Sequence, residues 1–223
     1  MHGFRPSSAV WHDETMDFQL NEAEVRVLGS LVEKEAATPE YYPLSLNALC
    51  AACNQKSNRE PVMSLDEDSV LGAVESLRAK GLVLRTSGGD HRVPKYGHRA
   101  GEVFNFDRRE QAILRVLMLR GPQTVGELRG RTERLHTFDS LAEVESTLDR
   151  LMERTPPLVQ KLARQPGEKE PRFAHLLSGE VVVHTQAAAP PEHRSPVEDR
   201  IARIEQQLAE LKQQFEEFRK SFE

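Results

Sequence analysis

The chain has 223 residues, of which 38% are hydrophobic and 29% charged, and its net charge at pH 7 is -5. This composition allows compact cores and excludes a polycation, so any surface for nucleic acid must be local. No apolar run approaches the roughly 18 residues of a membrane span, the N-terminus has no apolar segment of signal-peptide length, and two cysteines cannot build a disulfide scaffold. We therefore expect a cytoplasmic protein without a membrane partner.

The first predicted elements are two helices. Residues 1–16 have no periodicity and are expected to form a flexible lead-in. Asn21 and Glu24 have the spacing of a capping box, which predicts the start of a helix. The segment TPEYYP ends that helix, because prolines interrupt it. Ser45 is expected to cap a second, short helix that runs through Cys53.

A third helix and a hairpin follow. Ser64 and Glu67 predict another capping box, and the helix it opens has an apolar face of Val70, Ala73, Val74 and Leu77. Gly81 is the expected left-handed stop. A strand over 82–85, a turn at SGGD and a second strand that ends at 103–106 complete the hairpin. Three helices followed by a hairpin are the element order of a winged helix.

This pattern occurs a second time. Thr124 with Glu127 and Ser140 with Glu143 have capping-box spacing, and QPGEKEP forms a second hairpin turn. The apolar face of the third helix reappears 74 positions later as Val144, Thr147, Leu148 and Leu151. A repeat of this kind indicates two copies of one unit. The predicted fold is α+β and mostly helical, with tandem winged-helix domains at 17–106 and 107–177.

The remaining residues predict a linker and a coiled coil. Residues 178–196 are rich in proline and alanine and have no apolar pattern. Residues 197–223 carry an unbroken heptad stripe of Val197, Ile201, Ile204, Leu208, Leu211, Phe215, Phe218 and Phe222. A single helix of this length is marginal in water, so the stripe needs a partner. The narrow stripe favours self-association through a C-terminal coiled-coil helix, although packing back on the second domain is the alternative.

One stretch also resembles a known family. LNALCAACNQKSNREPVMSLDEDSV, the GLV after it and RVPKYGHR in the hairpin resemble the YceH-like family of uncharacterised bacterial proteins. The resemblance covers residues 20–177, and CNQKSNREPV is its most specific part. It implies two tandem winged-helix domains and no assigned activity. It does not extend to the heptad stripe.

The first hairpin is the candidate nucleic-acid surface. Residues 78–99 contain a single acid, Asp90, and six basic residues, Arg78, Lys80, Arg85, Arg92, Lys95 and Arg99. Such a hairpin can contact phosphates, with an ordinary solvated hairpin as the alternative. Both third helices begin with acids, which disfavours reading of the major groove. The sequence therefore predicts weak, hairpin-led DNA binding, or alternatively a scaffold that binds a protein partner.

The loop CNQKSNREPV has two compatible interpretations. Lys56, Asn58 and Arg59 have no obvious helical role, so they either grip a phosphate or a partner carboxylate or form a rigid joint, which we favour. Asn54 is expected to be a left-handed helix stop. Cys50 and Cys53 lack the second ligand pair of a zinc site and are expected to pack in a core. No catalytic motif is present, so we expect no enzyme, cofactor or metal.

Overall fold

The computed structural model describes residues 19–88, 91–164 and 167–179, with backbone alone at 87, 88, 91 and 92. The predicted lead-in, the coiled-coil helix and all of the linker except residues 178 and 179 lie outside these residues. Within the described ranges the protein is α+β, with seven α-helices and two small antiparallel sheets. The α+β prediction is confirmed at this level.

Residues 19–106, here called the first half, contain three main helices and a three-stranded sheet. The elements are α1 (Glu22–Ala37), a 3-10 turn (Pro39–Tyr41), β1 (Leu44–Ser45), α2 (Leu46–Cys53), α3 (Glu67–Ala79), β2 (Val83–Gly88), β3 (His91–His98) and α4 (Ala100–Val103). The strand order is β1-β3-β2, and all pairs are antiparallel.

Residues 107–179, here called the second half, repeat this order with shorter strands. The elements are α5 (Arg108–Arg120), α6 (Val125–Thr132), α7 (Leu141–Glu153), β4 (Val159–Lys161) and β5 (Phe173–His175). A single bridge from Gln123 to Phe173 stands where β1 pairs with β3 in the first half. The repeat of element order that the sequence predicts is therefore present.

Helix caps follow the sequence closely at most positions. Asn21 and Glu24 form a reciprocal capping box on α1, with nitrogen–oxygen distances of 2.8 and 2.9 Å. Thr124 forms the same box with Glu127 on α6. Ser45 caps α2, and Gly81 after α3 has φ +71°, the left-handed conformation expected of it. These four predictions are confirmed because caps depend on local spacing.

Three local predictions are wrong. Asp66, not Ser64, caps α3, because the Asp66 carboxylate accepts from the Ser69 amide at 2.8 Å. The second strand ends at His98, and the residues predicted to close it form α4 and a stacked pair of Phe104 and Phe106 instead. Asn54 has φ -93°, and the left-handed position in this loop is Asn58, with φ +59°.

An equivalent ion pair links the first and third helices of each half. Glu24 of the α1 capping box pairs with Lys80 after α3 at 2.7 Å, and Glu110 of the α5 capping box pairs with Arg154 after α7 at 2.7 Å. Both glutamates are buried, so each needs a cation close by. Each pair fastens the start of the first helix of a half to the end of its third helix.

Helices α1 and α5 pack against each other and join the halves. Gly29 makes the close approach possible, because a Cβ atom there would lie 3.0 Å from Leu119 Cδ2 and 3.1 Å from Met118 Cβ. Most of α1 is buried on all sides, from Glu24 to Val32. The described core therefore runs continuously through both halves.

The helices of the described ranges fall short of a membrane span. The longest, α1, has 16 residues and carries charges along its length, and none of the others combines the length and apolarity that crossing a bilayer needs.

Candidate functional site

The loop after α2 is held in place by the buried guanidinium of Arg59. Its Nη2 atom lies 2.5 Å from Glu33 Oε2 of α1 and donates to the Ala52 carbonyl at 2.9 Å, while Nε donates to the same carbonyl at 3.2 Å. The Asn54 side chain accepts from the Leu65 amide and donates to the Leu65 carbonyl. This geometry is that of a rigid joint, and it leaves Arg59 little capacity to bind a ligand.

The exposed part of the loop contacts the second half. The left-handed backbone of Asn58 turns its amide oxygen toward Arg120 of α5, which donates a hydrogen bond to it. The Glu60 amide donates to the Leu119 carbonyl at 2.8 Å. Lys56 is exposed and has no ion-pair partner among the described residues. Of the three predicted loop residues, Asn58 therefore lies at the contact between the halves.

A pocket of about 330 Å³ opens beside this contact, between α1, the loop, α5 and α6. We call it the junction pocket. Its polar wall includes Gln55, Ser57 and Asn58 from the loop. Its charged residues come from three helices and the segment after α6: Glu33, Lys34, Arg115, Arg120, Arg131, Glu133 and Arg134. Cations outnumber acids in this lining by five to two.

Arg115 is the most deeply placed of these cations, with 5% of its surface exposed. Burial lowers the pKa of Arg115, Glu33 raises it, and the neighbouring guanidiniums of Arg120 and Arg134 lower it further. Burial also lowers the pKa of Arg120, and Arg131 adds to that shift. Each of these shifts has the same origin, which is positive charge crowded into a partly dry space.

The predicted hairpin residues are divided by what they contact. Arg85 is exposed and Lys95 half-buried, and neither has an ion-pair partner in the described part of the chain. In the β2–β3 register Arg85 faces Tyr96 and Thr86 faces Lys95, so the two cations project from opposite faces of the hairpin. Arg99 pairs with Glu102 at 2.9 Å. Arg92 lies in β3, and its side chain is outside the described atoms.

Comparison with known proteins places this geometry in a family. Residues 20–168 match the model of a family described as "Protein of unknown function, DUF480". The match spans α1 to β4, so it includes the loop, the first hairpin and the whole junction pocket. The chain belongs to this family. This finding agrees with the resemblance to a YceH-like family that the loop sequence carries.

Relatives within the family are similar over most of their length. A "UPF0502 protein" of Solibacter usitatus is 60% identical over 190 residues, which cover 85% of this chain and 91% of the relative. A "UPF0502 protein GSU0233" of Geobacter sulfurreducens is 56% identical over 178 residues, which cover 79% and 81%. Neither name states an activity. The heptad residues 197–223 lie beyond the family match.

Of the two cysteines of this family member, Cys53 lies in the core and Cys50 is half-buried against it. Cys53 is fully buried, and burial raises the pKa of its thiol to about 11. Cys50 contacts the Leu65 carbonyl through its sulfur at 3.3 Å. The Cys53 thiol is therefore not activated as a nucleophile. No group of three or more histidine, cysteine, aspartate or glutamate side chains suited to a metal ion occurs among the described residues.

Sequence reasoning missed the arginines of the junction pocket. Arg115 interrupts the otherwise apolar run 112–119 of α5, between Leu114 and Val116. A cation that interrupts such a run is a usable signal, because a lone buried charge needs a partner. Arg120, Arg131 and Arg134 carry no such signal, since arginines at helix ends normally face solvent.

Proposed function

We propose that this family member is a non-enzymatic protein of two tandem winged-helix domains that contacts the DNA backbone through the β2–β3 hairpin. The observation that carries the proposal is the pair of cations Arg85 and Lys95, which have no carboxylate partner in the described ranges. Basic groups on both faces of a hairpin suit insertion beside a phosphate backbone or into a minor groove. The role that fits is regulatory or chromosome-associated.

The third helices support backbone contact rather than base reading. Asp66, Glu67 and Asp68 are exposed at the start of α3, and Glu145 is exposed on α7. Acids in the first turn suit the helix dipole, but they repel phosphates where a recognition helix would enter the major groove. Binding that depends on the hairpin would therefore be weak and would show little sequence preference.

The test is fluorescence anisotropy with duplexes of unrelated sequence, titrated with salt. Replacing Arg85 and Lys95 together by glutamine is expected to weaken all duplexes about equally and to reduce the salt slope by about two. A matched control replaces Arg78 and Arg99, which already pair with Glu75 and Glu102, and is expected to change the slope less. Absence of binding by the parent chain at about 50 mM salt would contradict the proposal.

A protein-interaction scaffold is the second candidate, because the same hairpin exposes apolar side chains. Leu84 and Val93 are 51% and 58% exposed. Tyr41, shortly before β1, is 70% exposed. Apolar groups ringed by charge are typical of protein contacts. Replacing Leu84 and Val93 by threonine leaves the cations intact. Unchanged DNA binding by this variant would show that the exposed apolar side chains do not contribute to DNA binding.

Self-association through the heptad stripe completes the proposal. Ile201, Leu208 and Phe215 occupy one seam position, and Ile204, Leu211 and Phe218 occupy the other. Pairing would double the number of hairpins offered to an extended target and would raise avidity. Light scattering on the full chain and on a chain that ends at Leu177 tests this directly. A monomeric full chain, or a truncated chain that remains oligomeric, would remove the stripe as the assembly element.

A further inference from the structure

The junction pocket has an excess of positive charge that the protein does not neutralise. One of its two acids, Glu33, already pairs with Arg59 behind the pocket wall at 2.5 Å. The other, Glu133, is exposed and has no ion-pair partner among the described residues. Arg131 is partly balanced by Glu127 at 3.5 Å. Arg115, Arg120 and Arg134 have no carboxylate within ion-pair distance in the described part of the chain, so these three charges have no ion-pair partner there.

Arg115 shows this most clearly because it is buried. A guanidinium carries five N–H donors, and Arg115 uses one described hydrogen bond, from Nη2 to the Arg131 carbonyl at 2.9 Å. No other partner for it occurs in the described ranges. Arg115 lines the junction pocket, and none of its nitrogens is among the buried side-chain atoms without a partner, so its remaining donors reach the pocket. A bound anion would provide both the charge and the acceptors.

The pocket is also held open before any ligand arrives. Asn58 fixes Arg120 from the loop, and Gln123 accepts a hydrogen bond from Arg131. Arg59 fastens the loop to α1, so the opposite wall is rigid as well. Preorganised donors lose little conformational entropy on binding, which raises affinity.

The chemistry of the lining selects the class of anion. Guanidinium groups bind phosphate and carboxylate oxygens through parallel N–H donors, and three or four of them together suit a group with more than one negative charge. The pocket volume of about 330 Å³ is at the lower end of the volumes of small-molecule sites. We propose that the junction pocket binds a small phosphate-bearing anion, of the size of a phosphomonoester or a mononucleotide.

This site is separate from the hairpin of the proposed DNA contact, and its consequence is regulatory. The pocket is built from α1 and the loop of the first half and from α5 and α6 of the second. An anion there would reduce the repulsion among the arginines of the second half and would contact the first half through Lys34 and the polar side chains of the loop. Ligand binding would therefore stabilise the packing of the two halves.

Isothermal titration of the full chain, at constant ionic strength set with chloride, tests the proposal with three probes: inorganic phosphate, pyrophosphate and adenosine monophosphate. We expect saturable binding of at least one probe, together with a rise in melting temperature. Arg120→Gln with Arg131→Gln should raise the dissociation constant about tenfold or more. Arg85→Gln with Lys95→Gln, the hairpin control, should leave it unchanged.

The outcomes are decisive in each direction. Because Arg115→Gln removes a buried cation and could fail to fold, Arg115→Lys provides a second variant, which keeps the charge but loses the fork and should also bind more weakly. Absence of saturable binding by all three probes, or equal affinity in the pocket variants and the parent, overturns the proposal. The proposal is also overturned if binding of a DNA duplex requires Arg120 and Arg131 while none of the small probes binds. The pocket would then be part of the DNA surface.

Discussion

The two halves share the same order of three helices and a hairpin, but the loop between the second and third helices differs in length. Glu24–Lys80 and Glu110–Arg154 close them in the same way, and each has three helices before its hairpin. The connection between α2 and α3 runs from 54 to 66, whereas the one between α6 and α7 runs only from 133 to 140. The longer loop crosses to α5 through Glu60 and Asn58. The repeated elements therefore build each half, and the unrepeated loop adds contacts to the junction that α1 and α5 form.

The hairpin of the first half is also longer than that of the second. Strands β2 and β3 have six and eight residues, but β4 and β5 have three each. A longer hairpin extends further from the core, and in the described ranges the first hairpin has two cations without an ion-pair partner, Arg85 and Lys95, on opposite faces. The first half thus supplies both the candidate DNA contact and one wall of the junction pocket, while the second half supplies all four arginines of the pocket lining.

The largest expected effect comes from breaking the joint of the first half. Arg59→Met leaves Glu33, which is 14% exposed, without its cation and frees the Ala52 carbonyl. Removing one member of a buried ion pair costs about 3–5 kcal/mol, so we expect a loss of that size in the free energy of unfolding. Denaturant unfolding measures it. Lys56→Met in the same loop is the control, and an equal loss in both variants would show that the joint contributes nothing special.

The crossing of α1 and α5 should be the next most sensitive place. Gly29→Val inserts three carbons against Leu119 and Met118, and overpacking of this kind costs about 2 kcal/mol. Gly72→Val is the matched control, because a Cβ atom at Gly72 in α3 meets nothing within 4 Å. Thermal unfolding compares the two. Similar melting temperatures would mean that the helices can move apart at little cost.

His98 ends β3 and His175 ends β5, and the two histidines are expected to affect the pH dependence of stability differently. Burial lowers the pKa of His175 to about 4, whereas Glu35, 2.9 Å from His98, opposes the same effect of burial on the pKa of His98. Since the unfolded chain binds a proton near the ordinary pKa of 6.5 and folded His175 does not, stability is full above pH 6.5 and falls toward pH 4. The loss is on the order of 3 kcal/mol.

His175→Gln should flatten that part of the stability curve, while the carboxylates that also titrate there are common to both proteins. Unfolding midpoints between pH 7 and pH 4 provide the measurement. His98→Gln is the control in the first half and should change the curve less, because Glu35 offsets burial there. A parent and a His175 variant with parallel curves would refute the assignment.

The smallest effect concerns the cap that the sequence misplaced. Asp66→Ala should lower the melting temperature by a few degrees, because the Ser69 amide loses its acceptor, whereas Ser64→Ala should leave it unchanged. The corresponding change in the second half is Ser140→Ala, which removes the acceptor of the Glu143 amide. Equal effects of the Asp66 and Ser64 changes would restore the capping box predicted from spacing.

Local rules account for what the sequence could predict. Asn21, Ser45, Gly81 and Thr124 act on backbone groups within a few residues, so their spacing is sufficient. The apolar faces of α3 and α7 are buried as periodicity predicts. At α3 two capping residues competed within three positions, and spacing alone could not decide between Ser64 and Asp66.

Long-range contacts account for the rest. Arg59 meets Glu33 across 26 positions, and Arg120 meets Asn58 across 62. Nothing in local spacing links such residues, so the joint could be proposed from composition but the junction pocket could not. The four arginines of its lining belong to α5, α6 and the segment after α6, and the pocket forms only when the second half packs on α1.

The burial of α1 between the other helices sets the order in which the protein can fold during synthesis. The face of α1 around Gly29 is covered by α5, whose last residue follows Ala37 by about 80 positions. At about 5–20 residues per second, the ribosome needs roughly 4–16 s to supply that cover. During this interval the first half carries an unpacked apolar helix face, which a chaperone could shield. Completion of the core therefore waits for α5, however early the first half forms its own helices.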